Sequence, residues 1–217
     1  MPDGFDINFG CPVKKVAKQG AGAVLMNDLK LSREIIKAVI DNTDLPVSIK
    51  IRSKVKEINA LKFLENIKDL DVKAVMIHGR TLTQGHTGLV NKKIIKEARN
   101  YFSGIILANG GIMNYFDGLG MLEETEADGL GIARGALGNP WIFNEIKNKT
   151  TDNISLEEKF KVALKHAKIS FKLKGERGII EMRKNFCWYF QNFSGAKKIR
   201  EKIIKARSLE DLKNILK

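Results

Sequence analysis

Up to about residue 149 the chain alternates short aliphatic runs with stretches whose apolar residues recur at helical spacing. The runs are Phe5–Asn8, Val47–Ile51, Ala74–His78, Ile105–Asn109 and Gly129–Ala133. Strands buried on both faces of a parallel sheet read as such continuous apolar runs. Between them Ile35, Ile36, Val39 and Ile40 share one helical face, and Ile94, Ile95, Ala98 and Phe102 share another. Strand and helix in alternation predict a parallel sheet flanked by helices.

Each run ends in polar or glycine residues: Asn8-Phe9-Gly10-Cys11-Pro12, Lys50-Ile51-Arg52, His78-Gly79-Arg80-Thr81, Asn109-Gly110-Gly111 and Ala133-Arg134-Gly135. In a (βα)8 barrel that C-terminal face carries the chemistry. The expected fold is therefore a TIM-type (βα)8 barrel in which the visible units are the later ones, with about the first three strands absent ahead of Phe5.

After Thr150 the strand pattern stops. Ser155-Leu156-Glu157-Glu158 has the form of a capping box. Phe160, Ala163, Leu164, Ala167 and Phe171 follow at helical spacing, with Gly175 as a stop. Met182, Phe186, Tyr189, Phe190 and Phe193 form a second stripe, and Ile199, Ile203, Leu212, Ile215 and Leu216 suggest two further helices. The expected division is a catalytic partial barrel over 1–149 and an all-helical domain over 150–217.

Composition sharpens this picture. With 217 residues and 43% hydrophobic content the chain can bury a real core. No apolar run approaches the roughly 20 residues of a membrane span, and the opening residues lack a secretory pattern. Two distant cysteines, Cys11 and Cys187, make no disulfide framework. The expectation is a cytoplasmic protein with no metal site and no obligate protein partner. The net charge is +13, and from Thr150 onward 17 Lys/Arg stand against 8 Asp/Glu. A basic terminal segment suits a polyanion such as RNA; a lysine-rich, solvated helix surface gives the same count.

Several residues could carry chemistry. Cys11 ends a strand between Gly10, which permits a tight turn, and Pro12, which fixes the exit. A thiol can donate a proton there, or serve as a small buried hydrophobe. Lys50 interrupts an apolar run. His78 reads as a functional or a hydrogen-bonded structural histidine. The glycine-bearing ends Asn109-Gly110-Gly111 and Ala133-Arg134-Gly135 can cradle a phosphate with backbone N–H groups. Trp188, Tyr189 and Phe190 could stack bases, although their helical spacing favours core packing.

These segments resemble the tRNA-dihydrouridine synthase family. The resemblance runs in order through Asp6–Lys15, Gly20–Ala23, Pro46–Arg52, His78–Thr81, Asn109–Ile112, Ala133–Phe143, Met182-Arg183-Lys184 and Trp188-Tyr189. It implies reduction of uridine to 5,6-dihydrouridine in tRNA, with FMN as cofactor and NADPH as reductant. Cys11 would then be the general acid, and Asn8, Lys50, His78 and Arg80 would contact the uracil. Lys50, His78, Asn109, Gly110, Gly111, Ala133, Arg134 and Gly135 would hold FMN. The helical domain would grip tRNA through residues such as Arg177, Arg183, Lys184, Lys197, Lys198 and Arg200. The family usually has aspartate at Gly111, glycine at Ala133 and tyrosine near His86. Another flavin barrel, such as a dihydroorotate dehydrogenase relative, and a non-catalytic RNA-binding remnant are the competing readings. The basic tail argues against the former.

Overall fold

The computed structural model describes residues 2–151 and 153–216. The chain divides into two compact units, Met1–Ala133 and Arg134–Lys217.

The aliphatic runs of the first unit form a parallel sheet. Its strands are β1 (Phe5–Asn8), β2 (Val47–Arg52), β5 (Val72–His78), β6 (Ile105–Asn109) and β7 (Gly129–Gly131). A small antiparallel hairpin, β3 (Lys54–Val55) and β4 (Ile58–Asn59), lies between β2 and the next helix. Sheet order among the described residues is β1-β2-β5-β6-β7, every pair parallel. The order simply follows the chain. A doubly wound sheet reverses at a switch point; this one advances in a single direction, as barrel strands do.

The register sets two rows across the sheet. Asn8 pairs with Lys50, Lys50 with Met76, and Met76 with Leu107. At the C-terminal ends Arg52 pairs with His78, His78 with Asn109, and Asn109 with Gly131. The polar strand ends thus form one continuous edge. Val47, Ile49 and Ile51 alternate with them on β2 and are buried, together with Ile36, Phe63, Leu64 and Ile95 from the helices. Successive strand residues face opposite sides, so one side can be apolar and the other chemical.

The structure departs from the residue pattern at three places. Strand β1 is mostly exposed, with Phe5 45% accessible, because it pairs on one side only, with β2, among the described residues. Strand β7 stops at Gly131, short of Ala133. The hairpin has no signature in the sequence: two-residue strands show no period, and Lys56 takes its positive φ of 47° without a glycine.

In the described residues of the second unit, the secondary structure is helical. The helices are Ile142–Asn148, Leu156–Tyr189, Ala196–Ile203 and Leu209–Ile215. The long one breaks at Gly175 (φ 60°, ψ −147°), where the sequence suggested a stop. Its two arms meet where Ser170 Oγ donates to the Gly178 carbonyl at 3.0 Å. The apolar stripes form a core of Ala163, Ala167, Ile179, Phe186, Phe190, Ile203 and Leu212. Ser155 caps the long helix by accepting the Glu158 N–H, and a complete capping box stands at Ser208 and Asp211. The division falls at 133/134 rather than 149/150. Trp141 packs on the helical core with its ring 6.5 Å from Tyr189, and Gly138 abuts the Trp188 backbone so closely that a side chain would collide.

Candidate active site

Cys11 sits in the turn that follows β1, and three contacts define that turn. The Asn8 side-chain carbonyl accepts the Gly10 N–H at 2.9 Å. The Cys11 carbonyl accepts the Ala23 N–H at 3.1 Å. Arg52 Nε donates to the Gly10 carbonyl at 2.9 Å. Gly22 has φ +68°, and a Cβ there would lie 2.9 Å from Cys11 Cβ. Glycine is what lets the following segment close over the cysteine. The thiol-bearing residue itself is half-buried.

Arg52, read from the sequence only as a strand end, is 2% exposed. Besides Gly10, it donates through one terminal nitrogen to the carbonyls of Thr81 and Gly85, both at 3.0 Å. One guanidinium therefore joins the Cys11 turn to the loop after β5. Its partners here are neutral carbonyls, and burial lowers its pKa; Arg80 adds to this and Cys11 opposes it. No local pattern in the sequence marks it, because its role comes from its register position opposite His78.

Lys50 brings its ammonium to within 3.3 Å of where a Gly10 Cβ would stand. Burial lowers its pKa, Arg52 adds to the effect, and Asp6 pulls the other way. Neither Lys50 nor Arg52 forms an ion pair among the described residues. His78 is 7% exposed, and its pKa is pushed down to about 4 by burial first and then by Arg52, Lys50 and Arg80. Its imidazole is neutral at pH 7. The buried Nδ1 has no well-formed hydrogen bond among the described residues, and the nearby Arg80 backbone only partly offsets the downward shift. His86, where the family usually has tyrosine, meets the His78 ring edge-on at 6.4 Å.

Arg80 is also buried and donates Nε to the Gly88 carbonyl at 2.8 Å. With Gly110, Gly111, Lys92 and Asp117 it lines a cavity of about 220 Å³; the Asp117 carboxylate accepts the Met113 N–H at 2.9 Å. Gly110 (φ +113°) and Gly111 (φ +76°) are in conformations that favour glycine, and a Cβ on Gly110 would lie 3.2 Å from His78 Nε2. Asn109 fixes this end of the sheet by donating its side-chain amide to the Gly131 carbonyl. The edge therefore combines close-approach backbone with buried positive charge, a setting for an anionic group.

Asn8, Cys11, Lys50, His78, Arg80, Asn109, Gly110 and Gly111 all lie along this edge of the first unit. Ala133 ends that unit, while Arg134 and Gly135 belong to a short 3₁₀ turn that opens the second. The expected RNA-contacting residues divide into two kinds. Arg183 Nε donates to the Ala206 carbonyl at 2.6 Å, and Arg200 to the Phe190 carbonyl at 2.7 Å; both hold the helical unit together. Arg177 pairs with Glu181 at 2.8 Å and Lys197 with Glu201 at 4.0 Å, yet each stays 84% exposed. Lys184 lies over the Trp188 ring, 5.6 Å from its centroid. Lys198 is exposed. Tyr189 and Phe190 are core residues, so the aromatic run is packing rather than an open stacking platform. No helix among the described residues is long and apolar enough to cross a membrane.

A parallel sheet whose order follows the chain, with a cysteine turn and buried cations along its C-terminal edge, has the strand arrangement of a (βα) barrel. The family model described as Dihydrouridine synthase (Dus) matches residues 2–217, and the chain belongs to that family. It is 34% identical over 218 residues to a probable tRNA-dihydrouridine synthase 1 of Synechocystis, covering 97% of this chain and 61% of that protein. It is 30% identical over 215 residues to a probable tRNA-dihydrouridine synthase of Aquifex aeolicus, covering 97% and 68%. A tRNA-dihydrouridine synthase B of Pseudomonas putida shares 34% over 215 residues, covering 95% and 63%. The chain thus spans about 61–68% of the length of these relatives.

Proposed function

We propose that this chain is the part of a tRNA-dihydrouridine synthase that reduces uridine to 5,6-dihydrouridine, with Cys11 as general acid. The observation that carries the reading is the Arg52 bridge, which holds the Cys11 turn against the edge formed by Lys50, His78 and Arg80. The names of the relatives supply the substrate.

The residues fit an anionic, hydrogen-bond-hungry cofactor such as FMN. Among the described residues Lys50 and Arg52 form no ion pair, and the buried His78 Nδ1 has no well-formed hydrogen bond. Gly110 and Gly111 allow close approach beside Arg80. Lys50, His78, Asn109, Gly110 and Gly111 would hold FMN, with Ala133, Arg134 and Gly135 as further contacts implied by the family resemblance. Bound FMN would supply the hydride, drawn from NADPH.

The chain's own residues do the rest. Cys11 delivers a proton to uracil C5 as C6 is reduced. Asn8 has its carbonyl oxygen committed to Gly10, so its amino group is the one turned to a pyrimidine carbonyl. Lys50 and Arg80 stabilise charge that develops on the uracil oxygens. Neutral His78 can donate or accept a hydrogen bond without adding charge. The basic helical unit grips the tRNA while a base is drawn out of the fold. The test is Cys11→Ala, assayed for dihydrouridine in unmodified tRNA with NADPH and FMN. Turnover should fall about 10²–10⁴-fold with flavin and tRNA binding retained. Near-normal turnover would reject the role of Cys11.

A further inference from the structure

A second cavity, of about 510 Å³, opens between the β3–β4 hairpin and the loop after β5. It shares Leu89 with the cavity beside Arg80, but Cys11, Lys50, His78 and Arg80 are not among its lining residues. Ser53, Lys54, Asn59, Thr81, Gln84 and Asn91 are among its lining residues, and no carboxylate lines it among those described. Lys54 and Asn59 are direct cross-strand partners on the hairpin. The Leu82 N–H donates to the Lys54 carbonyl at 2.9 Å, so hairpin and loop form one wall.

The donors of this cavity are fixed by bonds made elsewhere. Asn59 caps the helix Ala60–Asn66, its carbonyl oxygen accepting the Lys62 N–H at 2.9 Å. Asn91 caps Lys92–Glu97, accepting the Ile94 N–H at 3.1 Å. Each cap uses the oxygen and leaves the NH₂ group as a donor, and neither NH₂ has a partner among the described residues. Lys54 is exposed and makes no ion pair among the described residues. Ser53 is 2% exposed; its backbone is fully bonded, through His78 and Ala60, yet its buried hydroxyl has no partner among the described residues. A buried hydroxyl left unpaired is destabilising, so it calls for a ligand or solvent partner. Gln84 is spent on the loop: its oxygen accepts the Thr81 N–H and its amino group donates to the Leu89 carbonyl.

An ammonium, two pinned amide donors and an unpaired buried hydroxyl, with no carboxylate beside them, match a phosphate. We propose that this cavity is a phosphate subsite for a nucleotide, lined by polar residues other than those of the cysteine edge. That the phosphate belongs to a nucleotide rests on the proposed uridine-reducing function; the phosphate chemistry itself stands on the cavity. The source is either a phosphodiester of the RNA strand or a phosphate of the dinucleotide reductant.

The test follows the side-chain amide resonances of Asn59 and Asn91 in the ¹⁵N-labelled chain during titration with inorganic phosphate, then with uridylyl-uridine, then with NADP⁺. Both amides should shift saturably with phosphate. The Asn59→Asp/Asn91→Asp variant keeps both caps, because aspartate caps as well as asparagine, but replaces the donors with negative charge. It should melt like the parent and bind phosphate at least about tenfold more weakly, with Lys54→Gln changing in the same direction. Tighter binding of uridylyl-uridine than of phosphate assigns the RNA strand, and tighter binding of NADP⁺ assigns the reductant. No saturable shift, or unchanged phosphate affinity in the double variant, overturns the subsite. Equal affinity for phosphate and both nucleotides overturns its nucleotide assignment. A chain that forms dihydrouridine without the phosphate shift loses the subsite alone. One that shows the shift without forming dihydrouridine loses the activity alone.

Discussion

Arg52 Nε donates to the Gly10 carbonyl at 2.9 Å, linking the last residue of β2 to the residue just before Cys11. Because the same guanidinium also reaches Thr81 and Gly85, one side chain sets the distance between the cysteine turn and the loop after β5. Lysine, a point donor on a flexible stem, cannot reproduce a planar fork. Arg52→Lys should therefore lower stability by on the order of 3 kcal/mol, read from urea unfolding, and reduce turnover even though charge is kept. An unfolding midpoint equal to the parent's would show that the bridge is dispensable.

His78 ties stability to pH. The unfolded imidazole takes up a proton below about 6.5, whereas the folded one resists until about 4. Between those values the unfolded state binds more protons, so stability falls as the pH drops through this window. His78→Gln should flatten the slope between pH 6.5 and 4 in a series of denaturation curves. Carboxylates contribute in both proteins; the difference between the two curves isolates the histidine.

Two helical glycines should respond in opposite directions to alanine. A Cβ on Gly178 would press into the Ser170 carbonyl at the crossing of the two arms, and such overpacking costs about 1–3 kcal/mol. On Gly120, inside Tyr115–Thr125, the nearest atom is the flexible end of Glu124 at 3.9 Å. There alanine should gain up to about 1 kcal/mol from helix propensity. Calorimetry should show Tm down for Gly178→Ala and up for Gly120→Ala.

The basic residues of the helical unit should separate by role. Substituting Arg183 or Arg200 should lower thermal stability, since each donates to a backbone carbonyl of its own unit. Substituting Arg177, Lys197 and Lys198 together should leave Tm nearly unchanged. It should weaken tRNA binding and flatten its dependence on salt, because fewer counterions are released. An unchanged salt slope would make these lysines and arginine a solubilising surface only.

The parallel strands, the helical tail and the order of the polar strand ends are legible in the residue pattern alone. Those features are local and periodic: Val47, Ile49 and Ile51 declare a strand, and Phe186, Tyr189 and Phe190 a helix stripe, whatever surrounds them. The pattern also marks Cys11, Lys50, His78 and Arg80, because polar residues at the ends of apolar runs stand out. The remaining features depend on partners far along the chain. Register put Arg52 opposite His78 and within reach of Gly10, Thr81 and Gly85, which turned a strand-end arginine into a bridge. Packing, not helical pattern, moved the division to Ala133 and Arg134, since Trp141 and Gly138 lie against residues near Trp188. The same long-range geometry committed Arg183 and Arg200 to carbonyls, a distinction that charge counting along a chain cannot make because it sees each side chain without its neighbours.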